Sequence, residues 1–299
     1  MTWSLALPET LKLKGPVGWG LASLACFIVF LLLTFPYGPL QHRLLTELNR
    51  ASGWEVRAAD WSVGLPPAIE WRDLVFAGPT TGTIPVEAVR ATVGVFQSLL
   101  GRLVIDYAVQ LPHVAQAGAG RATGSLTAAS WSLQGPIAIK GQVQEMDLAT
   151  VLKPYVSRGT VQGDFMHRWN SAQGDYAALN GEGTVKVEIK DLVVERIAAG
   201  TSANLSLAFG RVQAALACRE GACDVTELKG DGMDGSFTAQ GRMTLRQPLQ
   251  QSLLDLTVTV VPGAGFAQKA ASLSLPPFQP GSPLTFKLVG PIMTPRVAL

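Results

Sequence analysis

The chain has 299 residues, of which 47% are apolar (AVILMFWYC) and only 15% are charged. An average soluble domain carries about 25% charged residues, so part of this chain is expected to face lipid. Its net charge of +2 comes from 24 basic and 22 acidic residues with no basic run, which argues against nucleic acid as a partner.

The first predicted element is a transmembrane helix over residues 17–36, which follows a cytoplasmic segment over residues 1–16. Within it, residues 17–35 read VGWGLASLACFIVFLLLTF and carry no charge, and about 20 apolar residues suffice to cross the hydrocarbon core. A cleaved signal peptide is the alternative, but this run is too long for an h-region and no small-residue cleavage site follows it. A lipoprotein signal at Cys26 is disfavoured because the apolar run continues beyond that cysteine.

Lys12 and Lys14 precede the predicted helix. The positive-inside rule therefore favours a cytoplasmic amino terminus, which places the rest of the chain outside the cytoplasm. Residues 37–52 predict a juxtamembrane amphipathic helix, which either lies on the membrane surface or caps the first strands of the next domain. The apolar face of that helix consists of four leucines: Leu40, Leu44, Leu45 and Leu48.

Residues 53–299 predict a β-rich domain, because beyond Trp54 the apolar period changes from helical to two. In this region apolar side chains alternate with charged ones along single strands, and Asn-Gly, Asp-Gly and Pro/Gly turn signals separate the strands. This pattern indicates antiparallel strands joined by short hairpins. The clearest alternating segments are Leu103–Leu111, Gly124–Gly135, Val185–Ile189, Ala203–Phe209 and Ser252–Val261.

The predicted fold is mainly β: an N-terminal transmembrane helix followed by an extended, twisted antiparallel sheet. Only two short segments are helix candidates, Val143–Leu152 and Phe96–Leu100. One apolar face of the sheet is either a packed core or an open groove, and periodicity does not choose between them. The candidate groove residues are Val185, Val187, Ile189, Leu254, Leu256 and Val258.

The cysteines at positions 218 and 223 lie in a predicted hairpin with strands Val212–Cys218 and Cys223–Leu228. A disulfide between them would add about 2 kcal/mol of stability by loop entropy, and disulfides persist in the periplasm but not in the cytosol. The alternative is a metal site, yet two cysteines without a nearby histidine supply only half of a structural zinc shell. We therefore predict a disulfide here, and a small apolar role for Cys26 in the anchor.

No motif in the sequence indicates catalysis. The histidines His42, His113 and His167 lie far apart and fit no zinc-hydrolase pattern. The segment GDGMDG (Gly230–Gly235) lacks the third acidic position and the distal glutamate of a calcium loop, so it predicts a pair of tight turns. Its aspartates, Asp231 and Asp234, would act as an acid-base pair only inside a pocket. We predict a protein that is not an enzyme and has no cofactor or metal.

The order of several segments is informative. The apolar helix ends in TFPYGPLQHRLLTEL, and SGWEV and PPAIEWRDLVF follow. This order resembles the start of the type II secretion system protein N (GspN) family, within the wider AsmA-like group. The block CREGACDVTELKGDGMDG from Cys218 is also similar to that family, and GPIMTPRV (Gly290–Val297) resembles the ending of AsmA-like domains. Leu111–Gly120 departs from the family pattern, which is denser in glycine there.

The resemblance implies an inner-membrane protein with a periplasmic β domain, accessory to the machine that secretes folded proteins. On this reading the partners are the inner membrane and other type II secretion subunits, contacted through exposed strand edges and the anchor. The alternative is an AsmA-like lipid-handling protein whose apolar groove shields acyl chains between membranes, with phospholipid as its ligand. Neither reading involves nucleic acid.

Overall fold

The computed structural model describes residues 55–64, 68–78, 82–112, 120–131, 133–152, 155–173, 179–198, 204–246, 251–272, 281–292 and 294–298, with Ser23, Cys26 and Thr46. The predicted segments 1–16, 17–36 and 37–52 lie outside the described residues, except for Ser23, Cys26 and Thr46, which are helical. Within the described part of the chain, no helix combines the length and the hydropathy that a membrane crossing requires. All the strands belong to one compact unit, Leu45–Leu299.

Among the described residues of this unit, fourteen strands form a single sheet, and each strand pairs with the next one in sequence. All pairs are antiparallel, and the sheet is twisted and not closed, which confirms the prediction of a mainly β fold. In chain order the strands are β1 (Glu55–Gly64), β2 (Ala68–Gly78), β3 (Gly82–Val93), β4 (Leu103–Gln110), β5 (Arg121–Ala128), β6 (Pro136–Asp147), β7 (Val156–Asn170), β8 (Glu182–Ala198), β9 (Asn204–Arg219), β10 (Ala222–Gly232), β11 (Gly235–Thr244), β12 (Leu253–Pro262), β13 (Leu284–Pro291) and β14 (Arg296–Ala298).

The described helices in this unit are short and lie in connections between strands. They are α1 (Val95–Leu99), α2 (Leu148–Val151), α3 (Ala264–Ser272) and a 3-10 turn at Ser171–Gln173. The helix α1 agrees with the candidate Phe96–Leu100. The candidate Val143–Leu152 is mostly wrong, because β6 continues to Asp147 and only α2 is helical. The Asp147 side chain caps α2 by accepting the Ala149 N–H at 3.0 Å.

The strict reversal of the chain at every connection gives the sheet two distinct ends. We call the end where β1 begins, at Glu55, the entry end, and the opposite end the far end. Odd-numbered strands run from the entry end to the far end, so α1 and the β5–β6 connection lie at the far end. Even-numbered strands run back, so α2, the β10–β11 turn and α3 lie at the entry end.

Buried hydrophobic residues gather in small clusters. Near the entry end Val56, Leu74, Val86 and Leu111 form one cluster, and at the far end three residues on β4, β5 and β6 form another, against which Trp169 packs. The second cluster consists of Leu103, Ala128 and Ile137.

Strict alternation fails within β2. Trp71 packs against the same cluster as Leu74, although they are three positions apart and a regular strand would place them on opposite faces. Between them Asp73 has a φ of 49°, a left-handed conformation that interrupts the regular strand without changing its register. A similar φ recurs at Glu145 in β6 and Asp191 in β8. The apolar side chains therefore keep to one face across these irregular positions.

The segment Gly124–Gly135 is also shorter as a strand than predicted. Its β5 ends at Ala128, and Trp131 and Leu133 lie in the following connection. Both are exposed rather than directed to a sheet face, at 57% and 46%.

Candidate functional site: a continuous apolar sheet face

The six candidate groove residues come together through the strand register. Val185 pairs with Leu216, Leu216 with Val225, Val225 with Gly241, and Gly241 with Leu256. Directly paired residues project from the same face of a sheet. The register therefore places Val185 of β8 and Leu256 of β12 on one face.

Parallel rows of directly paired residues place the other four on the same face. One row runs from Ile189 to Val260, a second from Val187 to Leu228, and a third from Leu254 to Gly183. The residue Val258 pairs with Ala239 and lies between the rows of Leu256 and Val260. Only Leu256 is buried, at 7% exposure, and the other five are half-buried.

Aromatic rings cover glycines on this apolar face. Tyr107 of β4 lies over Gly124 and Gly141, and Phe165 of β7 approaches Gly141 from the other side: a Cβ built at Gly141 would lie 2.5 Å from Tyr107 Oη and 2.7 Å from Phe165 Cζ. The Tyr107 hydroxyl donates to the backbone carbonyl of Lys140 at 3.1 Å. Burial raises the pKa of Tyr107. The missing side chains of the glycines thus let two rings lie flat on the sheet.

The same arrangement recurs further along the face. His167 lies over Gly183, where an added Cβ would meet its Nδ1 at 2.6 Å, and it stacks on Trp169 with a centroid separation of 5.5 Å. Phe237 covers a glycine of β10 in the same way. His167 is therefore part of the apolar surface. Within the described residues, no three His, Cys, Asp or Glu side chains converge to hold a metal ion.

These aromatic residues were not among the predicted site residues. A signal for them exists in the sequence, because glycines recur at apolar-face positions of β5, β6, β8 and β10. A glycine at such a position leaves a gap that a ring from the neighbouring strand fills.

The predicted disulfide joins Cys218 to Cys223. These residues are direct cross-strand partners in the β9–β10 hairpin, whose turn residues Glu220 and Gly221 have φ of 49° and 79°, as a type I′ turn requires. The bond lies on the apolar face, in the row that also contains Gly183, and Cys223 is 1% exposed. Cys26 is a free cysteine.

Alkylation of the unreduced native protein is expected to label Cys26 and leave Cys218 and Cys223 unlabelled, as read by mass spectrometry. Replacing both hairpin cysteines by serine should lower the free energy of unfolding by about 2 kcal/mol, because the closed loop is short. Labelling of both hairpin thiols in the parent protein would rule out the bond in the cell.

The opposite face of the sheet is polar and carries ion pairs between neighbouring strands. Arg219 contacts Glu182 at 2.8 Å, and Arg211 contacts Glu188 at 2.7 Å. The Arg211 hydrogen bond is the main cause that lowers the pKa of Glu188. Both arginines are more than half exposed, and pairs that solvent screens in this way contribute little to stability.

The aspartates of GDGMDG do not form an acid-base pair. Asp231 lies within β10 and is exposed. Only one tight turn is present, at Met233 and Asp234, where two were predicted. The side chain of Asp234 is 2% exposed and contacts Lys269 Nζ of α3 at 2.5 Å.

Two further hydrogen bonds complete this contact between α3 and the sheet. The Asp234 carboxylate accepts the backbone N–H of Ala208 at 2.6 Å, and Lys269 Nζ donates to the Ser206 carbonyl at 3.0 Å. Neither Lys269 nor α3 was predicted from the sequence, although the alanine-rich stretch AGFAQKAAS favours a helix. The contact holds α3 at the entry end and serves a structural role.

The candidate site is thus a long apolar face, lined by half-buried aliphatic side chains and by rings over glycines, with a disulfide in one row. Comparison of the chain with protein-family models, with curated proteins and with solved structures found no match.

Proposed function

We propose that this chain is an accessory inner-membrane subunit of a type II protein secretion system, and that its sheet lies in the periplasm and contacts other secretion subunits. The observation that carries the proposal is the open sheet: among the described strands, β1 pairs only with β2 and β14 only with β13. Unpaired strand edges present backbone donors and acceptors to which a partner strand adds.

The β13–β14 edge is the better candidate of the two. β14 pairs with only three residues of β13, Lys287 to Val289. Within the described chain, Leu284 and Thr285 therefore have a strand neighbour on the β12 side alone. The β1 edge carries Glu55, Arg57 and Asp60, and charges of this kind discourage indiscriminate strand pairing.

Support for the cellular setting comes from the sequence. The uncharged segment at 17–36 and the order of segments through GPIMTPRV resemble the GspN family, and the disulfide between Cys218 and Cys223 suits an oxidising compartment. The anchor, the periplasmic location and the secretion partners all belong to the proposal.

Two measurements test this function. Alkaline phosphatase fused after Leu299 should be active, because that enzyme folds in the periplasm, and an inactive fusion with a fluorescent cytoplasmic reporter at the same position would overturn the topology.

A photoreactive residue at Thr285 should crosslink to a type II secretion subunit in cells. The control is Thr259, whose hydroxyl lies 3.0 Å from that of Thr285 but which is on the interior strand β12. Equal crosslinking from both positions would argue against the edge.

Lipid handling is the second candidate function, and the continuous half-buried apolar face favours it. A sheet with few helices has little protein to cover both faces. Acyl chains laid along the rows of Val185, Val187 and Ile189 would remove apolar surface from water.

Replacing Val187 by aspartate tests this second function. If the face is open to lipid, the domain should stay folded, because a carboxylate that keeps its water avoids most of the burial penalty. Crosslinking of acyl chains from a photoreactive residue at Ile189 should then fall. The matched control is Lys186→Asp, which adds the same carboxylate to the exposed polar face and should leave the crosslink unchanged. Loss of protease resistance in Val187→Asp, with no lipid crosslink in the parent, would show a packed core instead.

A further inference from the structure

Large apolar side chains are concentrated on the surface at the far end of the sheet. In the α1 region Phe96 and Leu100 are each 83% exposed, and in the β5–β6 connection Trp131 and Leu133 are 57% and 46% exposed. We call these four residues the far-end apolar patch. The Trp131 indole N–H donates to the Ser98 carbonyl at 3.0 Å and so ties the two connections together. Exposed aromatic and aliphatic anchors held in place are typical of protein-binding surfaces.

A groove of about 840 Å³ adjoins the patch. It runs across strands β4 to β8 beside Gln97 of α1, and one of its walls is a register row of small side chains that continues through Arg168 to Glu182. Four spacings between strands give it a length of about 19 Å, which matches about twelve residues of α-helix. The small side chains in this wall are Val104, Thr127 and Ala138.

The groove has an excess of positive charge. Arg102 and Arg168 both line it, and among the described residues no carboxylate lies within ion-pair distance of either. One carboxylate, Glu182, also lines the groove and pairs with Arg168 in register. Its Oε1 accepts from both Nε and Nη2 of Arg219, at 3.0 and 2.8 Å, so the two groove arginines still outnumber it. An occupant with acidic groups would supply the missing partners.

The length and the charge of the groove favour a protein segment as its occupant. A helix of about twelve residues spans the groove, and its two faces can present apolar side chains to the patch and carboxylates to Arg102 and Arg168.

We propose that the far-end apolar patch and the adjoining groove dock an amphipathic helix with an acidic polar face from a partner protein. Its apolar side chains would pack on Phe96, Leu100 and Trp131, while its carboxylates would pair with Arg102 and Arg168.

Binding of two labelled synthetic helices to the full chain in mild detergent tests the proposal by fluorescence anisotropy. The two 16-residue peptides share the same apolar residues and differ only in an acidic or a basic polar face. The acidic peptide should bind at least about tenfold more tightly, and Phe96→Ser with Leu100→Ser should weaken it about tenfold or more. Arg102→Glu with Arg168→Glu should reverse the preference. Met233→Ser is the control, since Met233 is equally exposed, at 83%, but lies at the entry end.

Equal affinity for the two peptides, binding of neither, or an equal loss in Met233→Ser would overturn the proposal, provided that each variant keeps the thermal unfolding of the parent. Vesicle flotation tests a lipid partner. If the parent floats with phosphatidylglycerol vesicles and the Phe96→Ser, Leu100→Ser variant does not, the patch binds a lipid surface and the proposal is overturned as well. In cells, a photoreactive residue at Phe96 should crosslink to an acidic helix of a protein. If that protein is not a secretion subunit, the docking surface stands and the proposed secretion function fails.

Discussion

Replacing Lys269 by alanine is expected to lower the free energy of unfolding by about 3 kcal/mol. The change leaves the Asp234 carboxylate, whose side chain is 2% exposed, without its cationic partner. Removing one member of a buried pair costs about 3–5 kcal/mol, and we expect the low end because Lys269 itself is 39% exposed. Chemical denaturation in mild detergent, followed by tryptophan fluorescence, measures the loss.

The matched control for this prediction is Lys229→Ala. Lys229 contacts Glu227 at 2.6 Å, a geometry close to that of the buried pair, but these side chains are 54% and 46% exposed. Solvent screens such a pair, so its removal should change stability by less than about 0.5 kcal/mol. A similar loss in both variants would mean that burial of Asp234 is not what gives the α3 contact its strength.

Much of this fold follows from sequence period alone. Apolar and charged residues alternate around Val187, and only a strand places those two sets on opposite faces. The hairpin at Cys218 and Cys223 was equally predictable, because five positions separate the cysteines and a turn sequence lies between them. The antiparallel pairing also follows, since strands joined by short hairpin turns are antiparallel neighbours.

Two kinds of feature were not predictable from period. A left-handed residue such as Asp73 interrupts a regular strand, and its effect appears only when Trp71 and Leu74 are seen in one cluster. The sequence period also does not reveal contacts between distant positions. Lys269 and Asp234 are 35 residues apart, and they meet because α3 follows β12 at the end of the sheet where β10 turns. Period also does not distinguish an open groove from a packed core, because that difference depends on which atoms cover the apolar face.

Replacing Gly124 by valine is expected to destabilise the domain by about 3 kcal/mol or more. A Cβ at this position would lie 2.2 Å from the Lys140 carbonyl oxygen and 2.4 Å from Tyr107 Oη. The carbonyl belongs to the neighbouring strand β6, so the clash cannot be relieved by rotating one side chain. β5 and β6 must therefore separate locally, and Tyr107 must leave the sheet and lose its 3.1 Å hydrogen bond to Lys140.

The matched control is Gly64→Val at the far end of β1, where nothing lies within 4 Å of an added Cβ. That variant should differ from the parent by less than about 0.5 kcal/mol in the same denaturation experiment. If Gly124→Val unfolds at the parent's denaturant concentration, β5 and β6 separate at this position and the Tyr107 ring moves off the sheet at little cost. The apolar face would then be a surface that adapts to its occupant, and the glycines would not fix its shape. Loss of stability confined to Gly124→Val would show instead that the close packing of β5, β6 and the Tyr107 ring is a rigid part of this face.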